Sequence, residues 1–228
     1  MTNQMNAVVI NDYGDRDQLT ETKMPIPNIN DDQLLVKVVS IGVNPIDWKT
    51  RKGLRKARYP FDFPIILGQE MAGVVSKIGA KVTGFKVGDA VIGYGTPSNR
   101  GTYAEFYAID ADQAAHKPIT VSFQEAAGLG LAGTTAWQAL FDAGHLKVGQ
   151  TVLILAGSGG VGSMAIQLAK HIGAHVITTT SAANDNYVRG LGADKVIDYK
   201  TQDFAKVSSK PTGCFQSRQA WWAHHFHC

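Results

Sequence analysis

Apolar positions in the first half of the chain come in short runs or in strict alternation. They occupy Ala7-Val8-Val9-Ile10, Leu34-Leu35-Val36-Lys37-Val38-Val39, Gly73-Val74-Val75-Ser76-Lys77-Ile78 and Ala90-Val91-Ile92-Gly93. Gly79, Gly84 and Gly88-Asp89 punctuate them, so they read as strands joined by tight turns. Short strands at such close spacing predict a small barrel. At Phe123 the pattern changes. Gln124–Leu131 and Thr134–Ala143 are rich in Ala and Leu and read as helices. Strand and helix then alternate over 151–155, 161–172, 175–180, 184–191 and 194–198, the order of a parallel βαβαβ unit. The expected architecture is β followed by α/β, in three parts: a barrel over 1–122, an incomplete parallel unit over 123–206, and a foreign or disordered tail over 207–228 where periodicity ceases. With three strands only, strand 151–155 is expected to carry an open apolar edge.

One junction in this pattern carries chemistry. The apolar run Thr151-Val152-Leu153-Ile154-Leu155 feeds directly into Ala156-Gly157-Ser158-Gly159-Gly160-Val161-Gly162, and an amphipathic helix follows with Met164, Ile166, Leu168 and Ile172. Strand, G-x-G-x-x-G and helix in that order form the context of a dinucleotide fingerprint. Glycines let the backbone approach a pyrophosphate, and the helix N-terminus supplies N–H donors and a positive dipole end. Gly157, Ser158, Gly159, Gly160, Val161 and Gly162 are therefore the candidate phosphate cradle. An NAD site usually ends its second strand in an acid on the ribose. Here His175–Thr180 runs into Ser181-Ala182-Ala183-Asn184, with no carboxylate to repel a 2′-phosphate. That favours NADPH, although Ser181 can equally be a helix cap. Tyr199 and Arg189 are further candidates for the phosphate.

Composition narrows the class. The chain has 228 residues, is 44% hydrophobic and carries a net charge of +3, which suits a globular protein rather than a disordered or strongly charged one. Lys49, Arg51, Lys52, Arg55, Lys56 and Arg58 are the one basic cluster. They read as a solvated loop or the mouth of an anion site, with a nucleic-acid patch the lesser alternative. No apolar run reaches 18 residues, and Met1-Thr2-Asn3-Gln4 lacks a signal-peptide pattern. A cytoplasmic location without nucleic-acid or membrane partners is the expectation. Both cysteines, Cys214 and Cys228, lie in the tail, so the body has neither a thiolate zinc site nor a catalytic cysteine.

Further segments make the chain similar to a known family. They are Gly42-Val43-Asn44-Pro45-Ile46-Asp47-Trp48-Lys49, Gly68-Gln69-Glu70-Met71-Ala72-Gly73, Val87-Gly88-Asp89, Gly101-Thr102-Tyr103-Ala104-Glu105 and Leu131-Ala132-Gly133-Thr134-Thr135-Ala136-Trp137. With the glycine turn, they resemble the zinc-independent quinone oxidoreductases (the zeta-crystallin-like branch) of the medium-chain dehydrogenase/reductase superfamily. The resemblance implies a GroES-like, partly open β-barrel catalytic domain joined to a Rossmann domain. It implies hydride transfer from NADPH to a quinone, or alternatively to a 2-alkenal or enone. Zinc-dependent relatives carry Cys at the position of Asn44 and His at that of Gln69, so the resemblance implies a metal-free site. Asn44, as a donor to a substrate carbonyl, Asp47, and Tyr59, lining the cleft, are its implied catalytic residues. Thr135 is implied near the nicotinamide ribose or phosphate. Family chains run on the order of a hundred residues longer, about three βα units and a return to the barrel. An impaired NADPH-binding product is thus a rival expectation, and self-association is a further one.

Overall fold

The computed structural model describes residues 3–207, 213–216 and 221–223. The chain folds into two compact units that divide between Leu131 and Ala132. This division lies somewhat beyond the expected one at 122, because the helix α2 (Phe123–Ala127) packs on the barrel: Ala126 and Ala127 are buried with Ala72.

The first unit is built of β1 (Gln4–Ile10), β2 (Thr20–Pro25), β3 (Gln33–Ile41), α1 (Pro45–Arg51), β4 (Ile65–Ile66), β5 (Glu70–Ile78), β6 (Ala90–Tyr94), β7 (Phe106–Asp110) and β8 (Ala114–His116). They form two antiparallel sheets, ordered β2-β1-β4 and β7-β3-β5-β6-β8. Alternating residues of β3, β5, β6 and β7 point into one core of Leu34, Val36, Met71, Val75, Val91, Tyr107 and Ile109. The pairing of β3 with β5 shifts register at Leu35/Val36 and Val38/Ser40. Such bulges bend a sheet toward closure. The Val8 N–H donates to the Tyr103 carbonyl at 2.8 Å and ties the small sheet to the loop before β7.

The second unit centres on one sheet, ordered β11-β10-β9-β12-β13. Its strands are β9 (Thr151–Leu155), β10 (His175–Thr180), β11 (Lys195–Asp198), β12 (Gly213–Gln216) and β13 (Trp221–Ala223). The first four run parallel; β13 closes antiparallel on β12. Helix α3 (Gly130–Trp137) crosses the division, and α4 (Gly160–His171) and α5 (Asp185–Gly190) follow β9 and β10. Ala165, Ile166 and Ala169 of α4 join Val152, Ile154 and Val176 in the core. β10 is buried along nearly its whole length, as expected of a parallel strand covered on both faces.

Two expectations need correction. β9 is not an edge: β12 pairs along it, Gly213 opposite Val152 through Gln216 opposite Leu155. Residues 213–216 and 221–223 of the tail are therefore strands, and with β12 the parallel order is 3-2-1-4 rather than three strands. The cluster His224, His225, His227 and Cys228 lies outside the described residues.

Candidate active site and nucleotide turn

The polar cluster of the first unit is made by a helix cap. Pro45 opens α1, where its missing N–H leaves no bond unmade. Asn44 precedes it in extended backbone (φ −123°, ψ 157°). Asp47, one turn in, reaches back and its Oδ2 accepts the Asn44 N–H at 2.8 Å. The cap therefore fixes both residues. The Asn44 side chain turns to β5, where Nδ2 donates to Glu70 Oε1 at 2.5 Å. A carboxylate can only accept, so the amide nitrogen rather than the oxygen must face it, leaving one N–H for another acceptor. The other oxygen of Glu70 accepts the Leu131 N–H at 2.6 Å. The Tyr103 hydroxyl donates to Asp47 Oδ2 at 3.0 Å. Gly42 has no side chain because the Glu70 carboxylate fills the space a Cβ would need.

Both acids are shielded from water: Glu70 is 2% and Asp47 5% exposed. Burial pushes the Glu70 carboxyl above its ordinary range; bonds from Leu131 and Asn44 pull back without cancelling it. Burial also raises Asp47, opposed by the bonds from Asn44 and Tyr103 and by the Arg55 charge. Tyr103 is raised by its own burial and then by Asp47. Tyr94 is raised by burial and then by Glu70, and it also feels Arg55 and Tyr59. Tyr59 lies beneath two guanidinium groups, Arg55 at 4.4 Å and Arg58 at 5.5 Å from its ring centre, and stacks on Phe61 at 5.8 Å. Asn44, Asp47 and Tyr59 thus belong to one neighbourhood. Glu70 and Tyr103 complete it and were missed as site residues. Glu70 had a signal: a charge directly before the apolar run Met71-Ala72-Gly73-Val74-Val75 requires partners once that run is buried.

The nucleotide turn lies in the second unit. β9 runs into Ala156, held in left-handed backbone (φ 57°) that side-chain-bearing residues adopt at a cost of about 1 kcal/mol. Thr179 holds it, with its Oγ1 accepting the Ala156 N–H at 3.0 Å and its carbonyl the Gly157 N–H at 2.9 Å. A Cβ at Gly157 would collide with Thr178 Oγ1, and one at Gly162 with the Ala156 carbonyl, so these glycines permit close packing. Gly159 is the N-cap of α4 and brings no side-chain oxygen to its N–H groups. The leading N–H groups of Gly160, Val161 and Gly162 have no intrahelical acceptor. Ser158 is oriented from β10: Thr180 Oγ1 donates to its hydroxyl oxygen at 2.9 Å, and Asn184 Nδ2 at 3.3 Å.

The remaining candidates divide. Ser181 follows Thr180, half-buried, at the cap position of a short turn but with no side-chain cap bond. Tyr199 bonds through its N–H to the Thr180 carbonyl at 3.2 Å, with an exposed ring. Arg189 pairs through its Nε with Asp185 at 2.6 Å, one turn earlier on α5. Thr135 is half-buried on α3, and among the described residues no hydrogen bond joins it to the turn. Thr178, Thr180 and Asn184 were missed. The buried hydroxyl-rich end of β10 was their signal, since buried hydroxyls need partners. Among the described residues no three His, Cys, Asp or Glu side chains group as metal ligands. Asn44 and the buried Gln69 each present an amide rather than a thiolate or an imidazole.

Residues 30–119 match the alcohol dehydrogenase GroES-like domain, and residues 160–215 match the zinc-binding dehydrogenase domain. The second match extends into β12. Over 215 residues the chain is 39% identical to a chloroplastic quinone-oxidoreductase homolog of Spinacia oleracea, covering 92% of this chain and 65% of that protein. The chain belongs to the medium-chain dehydrogenase/reductase superfamily. It is also 39% identical, over 216 residues, to a chloroplastic NADPH-dependent alkenal/one oxidoreductase of Arabidopsis thaliana, covering 91% of this chain and 55% of that one. Its fold is similar to that of a quinone oxidoreductase from Coxiella burnetii, with a TM-score of 0.81, 37% identity, and coverage of 91% of this chain and 66% of that one. The Escherichia coli quinone oxidoreductase complexed with NADPH gives a TM-score of 0.77 at 31% identity, over 89% of this chain and 61% of that one. The chain thus spans between about half and two thirds of the curated relatives it matches.

Proposed function

We propose that this chain carries the barrel and nucleotide-turn portions of a zinc-independent NADPH-dependent reductase acting on a quinone. The observation that carries the reading is the turn: a glycine-capped helix start, closed by Gly157 and Gly162 and buttressed by Ser158, Thr180 and Asn184. NADPH supplies the hydride when bound. The N–H groups of Gly160, Val161 and Gly162 hold its pyrophosphate, with Ser158 beside them. Ser181 and Tyr199 receive the 2′-phosphate at the end of β10, where the turn over residues 181–184 carries no acid, and Thr135 borders the nicotinamide side.

In the barrel, Asn44 presents its remaining N–H to the substrate carbonyl oxygen, the position at which a zinc-dependent member would use a metal. Glu70 holds that amide in orientation and Asp47 holds its backbone. Tyr59 lines the substrate side. A 2-alkenal or enone is the second substrate reading, favoured by the similarity to the alkenal/one oxidoreductase and by the conjugated carbonyl that both classes share.

The test is a titration of NADPH and of NADH, followed by nicotinamide fluorescence, with parallel turnover of a benzoquinone and a short 2-alkenal. NADPH is expected to bind more tightly than NADH, with turnover unaffected by chelators. Absence of saturable NADPH binding overturns the nucleotide assignment, and loss of turnover with chelator overturns zinc-independence. Binding without turnover of either acceptor leaves a nucleotide-binding module.

A further inference from the structure

Between Asp47 and Asp62 the chain holds six cationic residues and no acidic one. The segment is the end of α1 followed by consecutive tight turns, with Leu54 N–H donating to Lys49 O at 3.0 Å, Lys56 N–H to Gly53 O at 3.2 Å and Arg58 N–H to Arg55 O at 3.0 Å. Two of its cations have other roles. Lys52 pairs with Asp15 at 3.0 Å, and Arg51 is half-buried. Lys49, Lys56 and Arg58 remain on the surface, with Arg55 beside them on the Tyr59 ring.

The same surface exposes large apolar groups. Leu54 is 66% and Trp48 44% exposed. Lys49 Nζ lies 5.7 Å from the centre of the Trp48 ring, and Phe63 packs edge-on against Tyr13, which also covers Gly53. A purely solvated loop gains nothing from exposing Leu and Trp among lysines. Nucleic acid would use the aromatic faces and the cations but not Leu54. An anionic bilayer uses all of them: phosphate headgroups meet the cations, Trp sits at the interface, and Leu enters the acyl boundary while the Lys stems snorkel.

We propose that the turn over residues 48–63 is a peripheral docking surface for an anionic lipid bilayer. It concerns surface attachment and does not depend on the catalytic reading.

Co-sedimentation with vesicles tests it. The full chain is expected to sediment with phosphatidylcholine vesicles containing phosphatidylserine, to stay in solution with phosphatidylcholine alone, and to be released by salt. Lys49→Gln/Lys56→Gln/Arg58→Gln is expected to weaken binding on the order of a hundredfold, at about fivefold per cation. Lys23→Gln/Lys77→Gln/Lys86→Gln, which removes the same charge from exposed strand and loop positions, is expected to change it by less than about fivefold. Leu54→Ser is expected to weaken it roughly tenfold, corresponding to a leucine buried in lipid. Failure to bind anionic vesicles at low salt overturns the proposal. So does an equal loss in the two triple variants, or capture of a single-stranded oligonucleotide in preference to vesicles.

Discussion

Gly162 and Gly160 stand two residues apart in the first turn of α4, yet the fold treats them differently. A Cβ at Gly162 would meet only backbone: the Ala156 carbonyl oxygen, then Gly157 Cα at 2.8 Å and Ala156 C at 3.0 Å. Backbone cannot swing aside as a side chain can, so Gly162→Ala must push α4 away from the strained residue that follows β9. Overpacking of this kind costs about 1–3 kcal/mol. For a chain of this length that lowers Tm by roughly 2–12 °C. At Gly160 a Cβ meets nothing within 4 Å. Gly160→Ala is therefore expected to leave Tm unchanged or raise it by a degree or two, since alanine loses less backbone entropy than glycine. Thermal melts followed by circular dichroism, with and without NADPH, measure both. The Gly162 variant is also expected to lose NADPH binding, because the same displacement opens the cradle. If Gly160→Ala melts below Gly162→Ala, or if both melt with the wild type, the close approach of α4 to β9 is not what this glycine serves.

Three further outcomes follow from the same geometry. Gly159→Ala is expected to keep Tm within about 3 °C, one kcal/mol or less for a chain this size, while NADPH affinity falls at least about tenfold, because the N-cap borders the phosphate rather than the core; unchanged affinity by fluorescence titration removes the pyrophosphate from this turn. Glu70→Ala is expected to lose about 2–4 kcal/mol in urea unfolding, since it strands the half-buried donors of Asn44 and Leu131 at about 1 kcal/mol each and leaves a cavity where the buried side chain stood; a loss below about 1 kcal/mol contradicts the network. Glu70→Gln isolates the titration: a carboxyl raised by folding is most stabilising below about 4.5 and loses ground as pH climbs through its folded value. The wild type should therefore lose stability relative to Glu70→Gln as pH rises above 4.5 in a urea series, and a gain instead would refute the burial argument.

Much of the fold and the turn was legible along the chain, because period and punctuation are local properties. The alternation in β3 and β5 and the β9–glycine–α4 junction each reside within about a dozen consecutive residues. The segment holding Asn44 and Asp47 was readable for the same reason. Their chemical partners were not. Glu70 meets Asn44 across 26 positions and Tyr103 meets Asp47 across 56, and only the closing of the barrel brings those atoms within hydrogen-bond reach. Ser158 is oriented by Thr180 and Asn184 because parallel β10 lies beside β9. Arg189 shows the opposite: its ion pair with Asp185, four residues earlier, follows from helical spacing alone. The edge of β9 was misjudged since the four residues of β12 carry too little periodicity to mark a strand, and pairing with β9 alone makes them one. Local pattern thus determined the elements and the position of the nucleotide turn; tertiary packing decided which polar groups lost water together, and so which of them carry perturbed chemistry.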